Sequence, residues 1–185
     1  MEAPARPLAP APPIPVAAPG ARAVQVPPMR AIAHHRYGSP DLLELREIDR
    51  PVPGPDEVLV RVHAAALHVG DVFGVRGSPF VMRLVLGLFR PKRGIPGFDM
   101  AGTVEAVGEN VTRFGPGDEV FGAGNGTAAE YATGKASELA RKPTGLGFED
   151  AAALTTSALA ALHALRDVGQ VKPGHKVLIN GASGG

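Results

Sequence analysis

Glycine and proline divide most of this chain into short segments, and this punctuation limits its possible folds more than any other feature. The 185 residues include 24 Gly and 19 Pro. Between these breaks lie short apolar-rich segments at 29–34, 42–48, 57–67, 101–107, 119–121, 129–133 and 139–142. Strands of this length, separated by glycine- and proline-rich turns, are typical of sandwiches and barrels. The pattern therefore predicts a partly open β-barrel.

The pattern changes after residue 147. Residues 148–167 are rich in Ala and Leu and predict a helix that packs closely against a sheet. Residues 176–180 read as a short buried strand, and a glycine-rich turn follows at once. A strand that runs into such a turn opens a nucleotide-binding βαβ unit, in which glycines let the backbone approach a pyrophosphate. The candidate cofactor-binding residues of this turn are Gly181, Ala182, Ser183, Gly184 and Gly185.

Three regions follow from these patterns. Residues 1–28 are rich in Pro and Ala without an amphipathic period, which predicts a disordered tail. Residues 29–150 form the barrel domain, and 151–185 form the first helix and strand of a cofactor-binding domain. The fold class is therefore mixed. The ordered pattern begins at Met29, which is an alternative start of the protein.

Composition excludes several classes of function. The formal net charge is +1 and aromatic residues make up 5%, which argues against a nucleic-acid or anionic-membrane partner. The absence of Cys excludes disulfides and thiolate chemistry and fits a cytoplasmic protein. The strongly apolar stretch at 80–89 contains Arg83 and is too short to span a bilayer. We therefore expect a buried or substrate-lining segment there.

From residue 29 to 185 the chain resembles the medium-chain dehydrogenases/reductases. The most specific motifs are Pro-Gly-Phe-Asp-Met-Ala-Gly at 96–102 and Phe-Gly-Pro-Gly-Asp-Glu-Val-Phe-Gly at 114–122. Matching segments lie at 38–44, 53–65 and 171–185. The resemblance implies a GroES-like catalytic domain followed by a Rossmann domain. The chain then ends inside its cofactor loop, so we expect the fragment alone to be inactive and to bind dinucleotide weakly.

The departures from this family concern zinc. Zinc-dependent members place a Cys, a His and an acidic residue in the cleft. This chain has Leu67-His68-Val69-Gly70-Asp71 where the cysteine motif would lie and Gly97-Phe98-Asp99 where a Gly-His-Glu would lie, so Phe98 replaces the metal-binding His. Phe cannot ligate a metal, and zinc needs three or four N, S or O ligands. The resemblance is thus to the zinc-free quinone oxidoreductases and enoyl reductases. It implies a small-molecule substrate, NADPH as cofactor, with NADH possible, no zinc, and a homodimer at full length.

His68 and Asp71 are the candidate catalytic residues. His68 takes the place of an Asn that the zinc-free branch often has near the nicotinamide, and an imidazole suits proton donation near neutral pH. The alternatives are that His68 caps a loop and that Asp71 anchors the loop at Arg76. Ser157 is a candidate cofactor-binding residue. Ala160 stands where the family often has a Thr, and Thr155, Thr156 or Ser157 are possible substitutes for that contact.

Other residues remain open between two interpretations. Residues 79–93 are either a lobe over the cleft, walled by Phe80, Leu84, Leu88 and Phe89, or plain core packing. Asp99 is expected to accept backbone N–H groups of its own turn. His34 and His35 have no metal-like spacing, and one of the two should face solvent.

The function expected of the whole protein is hydride transfer from NAD(P)H to a quinone or an α,β-unsaturated carbonyl, catalysed mainly by proximity and orientation. An alternative is a non-catalytic NADPH-binding or regulatory protein of the same fold. A third possibility, a stand-alone barrel that binds a protein, is disfavoured by residues 176–185.

Overall fold

The computed structural model describes residues 27–81, 83–84, 87–91 and 94–181. The predicted disordered tail lies outside these residues except at Pro27 and Pro28, and so do four of the candidate cofactor residues, Ala182 to Gly185. Within the described part, no helix is long and apolar enough to cross a membrane.

The strands follow the predicted segments closely. They are β1 (Met29–Ala33), β2 (Glu44–Ile48), β3 (Glu57–Ala66), β4 (Asp99–Val107), β5 (Glu119–Ala123), β6 (Tyr131–Lys135) and β7 (Leu139–Arg141). Every predicted strand up to residue 142 is confirmed, with bounds that differ by a few residues. The punctuation therefore locates the strands correctly, because each ends at a turn that Gly or Pro favours.

Two helices that lie entirely within the described residues accompany the strands. The first, α1 (Val69–Arg76), lies between β3 and β4. The second, α2 (Phe148–Leu162), continues into a π-helical turn at His163–Val168, so the predicted helix at 148–167 is confirmed. Short 3₁₀ turns lie at Pro40–Leu42 and Ala136–Glu138.

The strands form an open antiparallel arrangement. Five of them make one sheet in the order β6-β3-β4-β5-β7, and β1 pairs with β2 in a separate hairpin. The hairpin joins the sheet through the segment before β6, where the Ile32 N–H donates to the Ala128 carbonyl at 2.9 Å. This arrangement confirms the predicted partly open barrel.

Strand β3 lies between β6 and β4, and it is buried on both faces at residues 58–60. On one face Val58 and Val60 contribute to the main core with residues of β4 to β7. On the other face Leu59 packs with Met29 and Tyr131. The alternation in β3 predicts only one buried face, but the β1–β2 hairpin covers the second face, which the local pattern does not reveal.

Helix α2 packs against the sheet through small residues. Ala151 and Ala152 are fully buried against Ala101 of β4. Alanine side chains let the helix backbone approach the strands closely, as the Ala-rich composition predicts. The first turns of α2 are therefore fixed beside the start of β4.

The predicted strand at 176–180 is not formed. Val177, Leu178 and Ile179 have no assigned secondary structure and are 48%, 96% and 59% exposed. A strand forms only when a neighbour pairs with its N–H and C=O groups. Among the described residues no strand lies beside this segment, so its apolar side chains have nothing to pack against.

Candidate functional site

The site is built around the N-terminus of α1. His68 is the N-cap residue, and its Nδ1 accepts a hydrogen bond from the Gly70 N–H at 3.0 Å. Asp71 completes a capping box, since its Oδ2 accepts from the His68 N–H at 2.9 Å. A capping box satisfies N–H groups that have no partner inside the helix. The structure thus gives His68 the capping role considered above as an alternative.

Asp71 joins two separate segments. It is 5% exposed, and its second oxygen, Oδ1, accepts from the Gly97 N–H at 3.0 Å. The anchoring partner is therefore Gly97, which corrects the expectation that Asp71 holds the loop at Arg76. Because each carboxylate oxygen already accepts a backbone N–H, this geometry favours a positioning role over a catalytic one for Asp71.

The cap also determines which ring nitrogen of His68 carries the proton. A neutral imidazole has one donor and one acceptor nitrogen. Since Nδ1 accepts from Gly70, the proton of the neutral ring lies on Nε2. The side chain is 22% exposed, so Nε2–H is available as a donor at the edge of the site.

Phe98 lies against His68. Their rings are offset-stacked with centroids 5.9 Å apart and planes 22° apart, and Phe98 is 40% exposed. The preceding Gly97 has φ of 103°, and a Cβ there would collide with the Thr127 hydroxyl oxygen and lie 2.9 Å from the Ala128 nitrogen. Only glycine fits this position, and it lets the chain turn so that Phe98 reaches His68.

Asp99 connects the same segment to α2. It is 3% exposed, and its carboxylate accepts from the Thr156 hydroxyl at 2.7 Å and from the Thr156 N–H at 3.2 Å. The expectation that Asp99 binds N–H groups of its own turn is wrong, because its side chain reaches a helix 57 residues away in sequence. This pair was missed from the sequence, which offers no local signal for it.

The other candidates on α2 differ in their surroundings. Thr155 is buried and its hydroxyl bonds only to the Ala151 carbonyl of its own helix, at 3.5 Å. Thr156 is engaged by Asp99, whereas Ser157 and Ala160 are exposed. Of the three residues considered as substitutes at Ala160, Ser157 alone is exposed and free of a hydrogen bond to the described residues.

The glycine turn is described only at Gly181. Its φ is 74°, the left-handed conformation that a tight phosphate-binding turn uses, and no atom lies within 4 Å of the point where a Cβ would be. The segment that precedes Gly181 is not paired as a strand among the described residues, and the rest of the predicted phosphate-binding turn lies outside them.

A metal does not fit the described part of the site. Among the described residues, no group of three His, Cys, Asp or Glu side chains is placed to hold a metal ion. Both carboxylates, Asp71 and Asp99, are occupied by backbone and hydroxyl donors. The side chain of Phe98 has no atom that could ligate a metal, and it stands where the zinc-dependent members of the resembled family have a His.

The remaining histidines are structural or exposed. His34 is 4% exposed and its Nδ1 is 3.1 Å from the Arg36 carbonyl, whereas His35 is exposed, as expected of one of the two. His63, on a bulge of β3, stacks on Phe148 with centroids 4.3 Å apart. Partial burial lowers the pKa of His63, and the nearby Arg61 cation lowers it further.

The lobe at 79–93 lies on the surface where it is described. Phe80, Leu84, Leu88 and Phe89 are 65%, 66%, 42% and 86% exposed, so core packing, one of the two interpretations, is wrong for these four. The lobe is attached through Tyr37, whose hydroxyl donates to the Gly87 carbonyl at 2.6 Å.

Comparisons with known proteins identify similar relatives. Residues 54–152 match the family model of the alcohol dehydrogenase GroES-like domain. Quinone oxidoreductase from Homo sapiens is 35% identical over 160 residues, which are 85% of this chain and 46% of that protein. The chain thus spans about half the length of the curated relatives it matches.

Solved structures agree with this relationship. The enoyl reductase CurK superposes with a TM-score of 0.72 at 27% identity, over 79% of this chain and 45% of that chain. A mycobacterial protein solved in complex with NADPH superposes with a TM-score of 0.67 at 31% identity, over 79% of this chain and 43% of that chain.

Proposed function

This chain belongs to the medium-chain dehydrogenase/reductase family through its GroES-like domain, and we propose that the protein is a zinc-independent oxidoreductase that reduces a quinone or an α,β-unsaturated carbonyl with NADPH. The acceptor classes are supported by a quinone oxidoreductase and an enoyl reductase among the similar proteins. NADPH is supported by the relative solved with that cofactor. Zinc independence is supported by Phe98, which offers no ligating atom.

The observation that carries this proposal is the arrangement of His68 beside Phe98. The capping bond holds Nδ1 as an acceptor, and the ring stack holds the imidazole plane, so Nε2–H has a fixed direction. A donor fixed in advance stabilises negative charge that develops on a substrate oxygen without reorganising.

In the proposed reduction the acceptor gains one hydride and one proton. A bound nicotinamide cofactor would supply the hydride to the β-carbon of the conjugated acceptor. The C=C π electrons would then shift toward the carbonyl carbon while the carbonyl π electrons move to oxygen, and Nε2–H of His68 would donate to that oxygen. A proton from His68 or from water completes the product, so no covalent intermediate with the protein is needed.

The cofactor would be held by the glycine turn that begins at Gly181 and by the exposed Ser157 on α2. The Asp99–Thr156 hydrogen bonds join α2 to the start of β4. They therefore also hold the adjacent Ser157 in position along α2 relative to β4. The protein supplies the hydrogen bonds and orientation on which the rate of hydride transfer depends.

A second candidate function is supported by the capping role of His68. Because the cap alone explains why a polar side chain is placed there, the fold is also compatible with an NADPH-binding or regulatory protein without turnover. Ala160, which cannot donate a hydrogen bond, is consistent with that alternative.

Three substitutions at His68 separate the cap from the donor, in the full-length protein. His68→Asn keeps both a cap acceptor and a donor, His68→Ser keeps a cap but is too short to reach substrate, and His68→Ala removes both. Oxidation of NADPH and NADH is followed with a quinone and an enone, with and without a chelator. We expect His68→Ser to fold normally and to lose about 100-fold in kcat.

The controls decide between the two functions. His68→Ala should lose activity and also about 1 kcal/mol of stability, because the cap is lost. Turnover by wild type that a chelator abolishes would exclude a zinc-independent reaction. Wild-type protein that binds NADPH and reduces neither acceptor would support the non-catalytic alternative.

A further inference from the structure

Phe98 is held by hydrogen bonds on both sides. The N–H of the preceding Gly97 donates to buried Asp71, and the carbonyl of Phe98 itself accepts from the Gly124 N–H at 2.6 Å. The following Asp99 binds Thr156 of α2 through both carboxylate oxygens. The backbone of Phe98 is therefore fixed to α1, to the residue after β5 and to α2.

This rigid backbone presents a ring that is 40% exposed. Burying a phenyl ring is favourable, so a fold that fixes its backbone but leaves much of the ring accessible gains little stability from the exposed part. Side chains held rigidly at a site are characteristic of contacts prepared for a ligand. Among the described residues, the ring contact of Phe98 is the offset stack on His68, which leaves part of the aromatic surface open.

We propose that Phe98 is the specificity-determining residue of this site, and that its ring stacks on a planar conjugated acceptor while His68 Nε2–H donates to the acceptor's carbonyl oxygen. This inference rests on the proposed reductase function and narrows its substrate class. A fused-ring quinone presents a flat π surface to Phe98, whereas an acyclic enone presents only a few conjugated atoms. The site therefore favours planar ring acceptors over acyclic ones.

The orientation of the two rings supports this assignment. Their planes differ by only 22°, so an acceptor that stacks on the same face of Phe98 as His68, beside the imidazole, lies roughly in the imidazole plane, in which Nε2–H points. Aromatic pairs prefer such offset stacking to a face-to-face sandwich. One flat acceptor is thus able to satisfy both the stack and the hydrogen bond.

The test compares kcat/KM for 1,4-naphthoquinone with kcat/KM for 3-penten-2-one in the full-length protein with NADPH. Phe98→Leu keeps an apolar side chain but removes the ring, and Phe98→Tyr keeps the ring. A stacking pair accounts for about a 2- to 12-fold change in rate. We expect Phe98→Leu to lower the ratio of kcat/KM for naphthoquinone to kcat/KM for the enone by that factor. Phe98→Tyr should keep the wild-type ratio.

Phe148→Leu is the matched control, since it makes the same change at a ring that also stacks on a histidine, His63, outside this site. It should leave the ratio unchanged. A ratio that Phe98→Leu leaves unchanged, or that Phe148→Leu lowers equally, would overturn the role of Phe98.

A second measurement separates this inference from the proposed function. If wild-type protein reduces neither acceptor, the reductase function fails, and binding of 1,4-naphthoquinone to the NADPH-loaded protein is measured by calorimetry. Weaker binding by Phe98→Leu than by Phe98→Tyr would still support the stacking role. Equal binding by both variants, or no binding to wild type, would refute it.

Discussion

The hydrogen bonds between Asp99 and Thr156 are the connection on which the position of α2 depends, and they can be tested by removing one hydroxyl. Asp99 is 3% exposed and accepts from the Thr156 hydroxyl at 2.7 Å. Hydrogen bonds to a charged group contribute about 1.5–3 kcal/mol to stability, and a buried group that loses its partner also pays a desolvation penalty. Thr156→Val should therefore destabilise the protein by about 1.5–3 kcal/mol.

Thr155 provides a matched control on the same helix. Thr155→Val removes a hydroxyl whose assigned bond is a 3.5 Å contact to the Ala151 carbonyl of its own helix. Such back-bonding within a helix contributes little or is slightly unfavourable, so this change should cost less than about 0.5 kcal/mol. The difference between the two variants isolates the contact with Asp99.

Urea unfolding at equilibrium, with a double-mutant cycle through Asp99→Asn, measures the interaction itself. The amide that Asp99→Asn introduces has only one acceptor oxygen and cannot replace both carboxylate oxygens toward Thr156. We therefore expect a coupling energy of about 1–2 kcal/mol and unchanged m-values. A Thr156→Val variant as stable as Thr155→Val, or single effects that add within about 0.5 kcal/mol, would refute the assignment.

Two further outcomes follow from the geometry. Gly97→Ala places a Cβ against the Thr127 hydroxyl at a residue whose φ is 103°, so it should lower the stability measured by thermal unfolding by about 1–3 kcal/mol. The control is Gly115→Ala, whose Cβ would have no described atom within 4 Å, and it should be neutral or slightly stabilising. Because partial burial lowers the pKa of His63, the folded state resists its protonation; stability should rise with pH across the interval from that pKa to about 6.5. His63→Gln should flatten that rise, and an NMR titration that places His63 at or above about 6.5 would contradict it.

The strands could be predicted because their signal is local. Each apolar segment carries its own alternation and ends at a Gly or Pro turn, so neighbouring structure does not need to be known. Helix α1 was missed because Gly70 and Gly74 weaken helix propensity in its eight residues. The capping pair His68 and Asp71, at the spacing of a capping box, is the signal that could have found it.

The contacts of the site could be predicted only in part, because they join residues distant in sequence. His68 was identified as a candidate from its place in a family motif, and the structure adds the tautomer that its cap enforces. The Asp71–Gly97 bond spans 26 residues and the Asp99–Thr156 bonds span 57. Neither pairing leaves a periodic trace in the sequence, since both depend on where the start of β4 and the residues just before it lie relative to the two helices.

The carboxylates of Asp71 and Asp99 also explain how the site is held together at positions where zinc-dependent members of the family have metal ligands. A metal ion joins the segments that carry its ligands, and its loss would leave them independent. Here the segments around His68 and Phe98 are joined instead by Asp71, which binds the His68 and Gly97 N–H groups. Asp99, at the acidic position of the metal motif, binds α2 through Thr156. Hydrogen bonds thus connect the segments, and the ring of Phe98 stays 40% exposed between them.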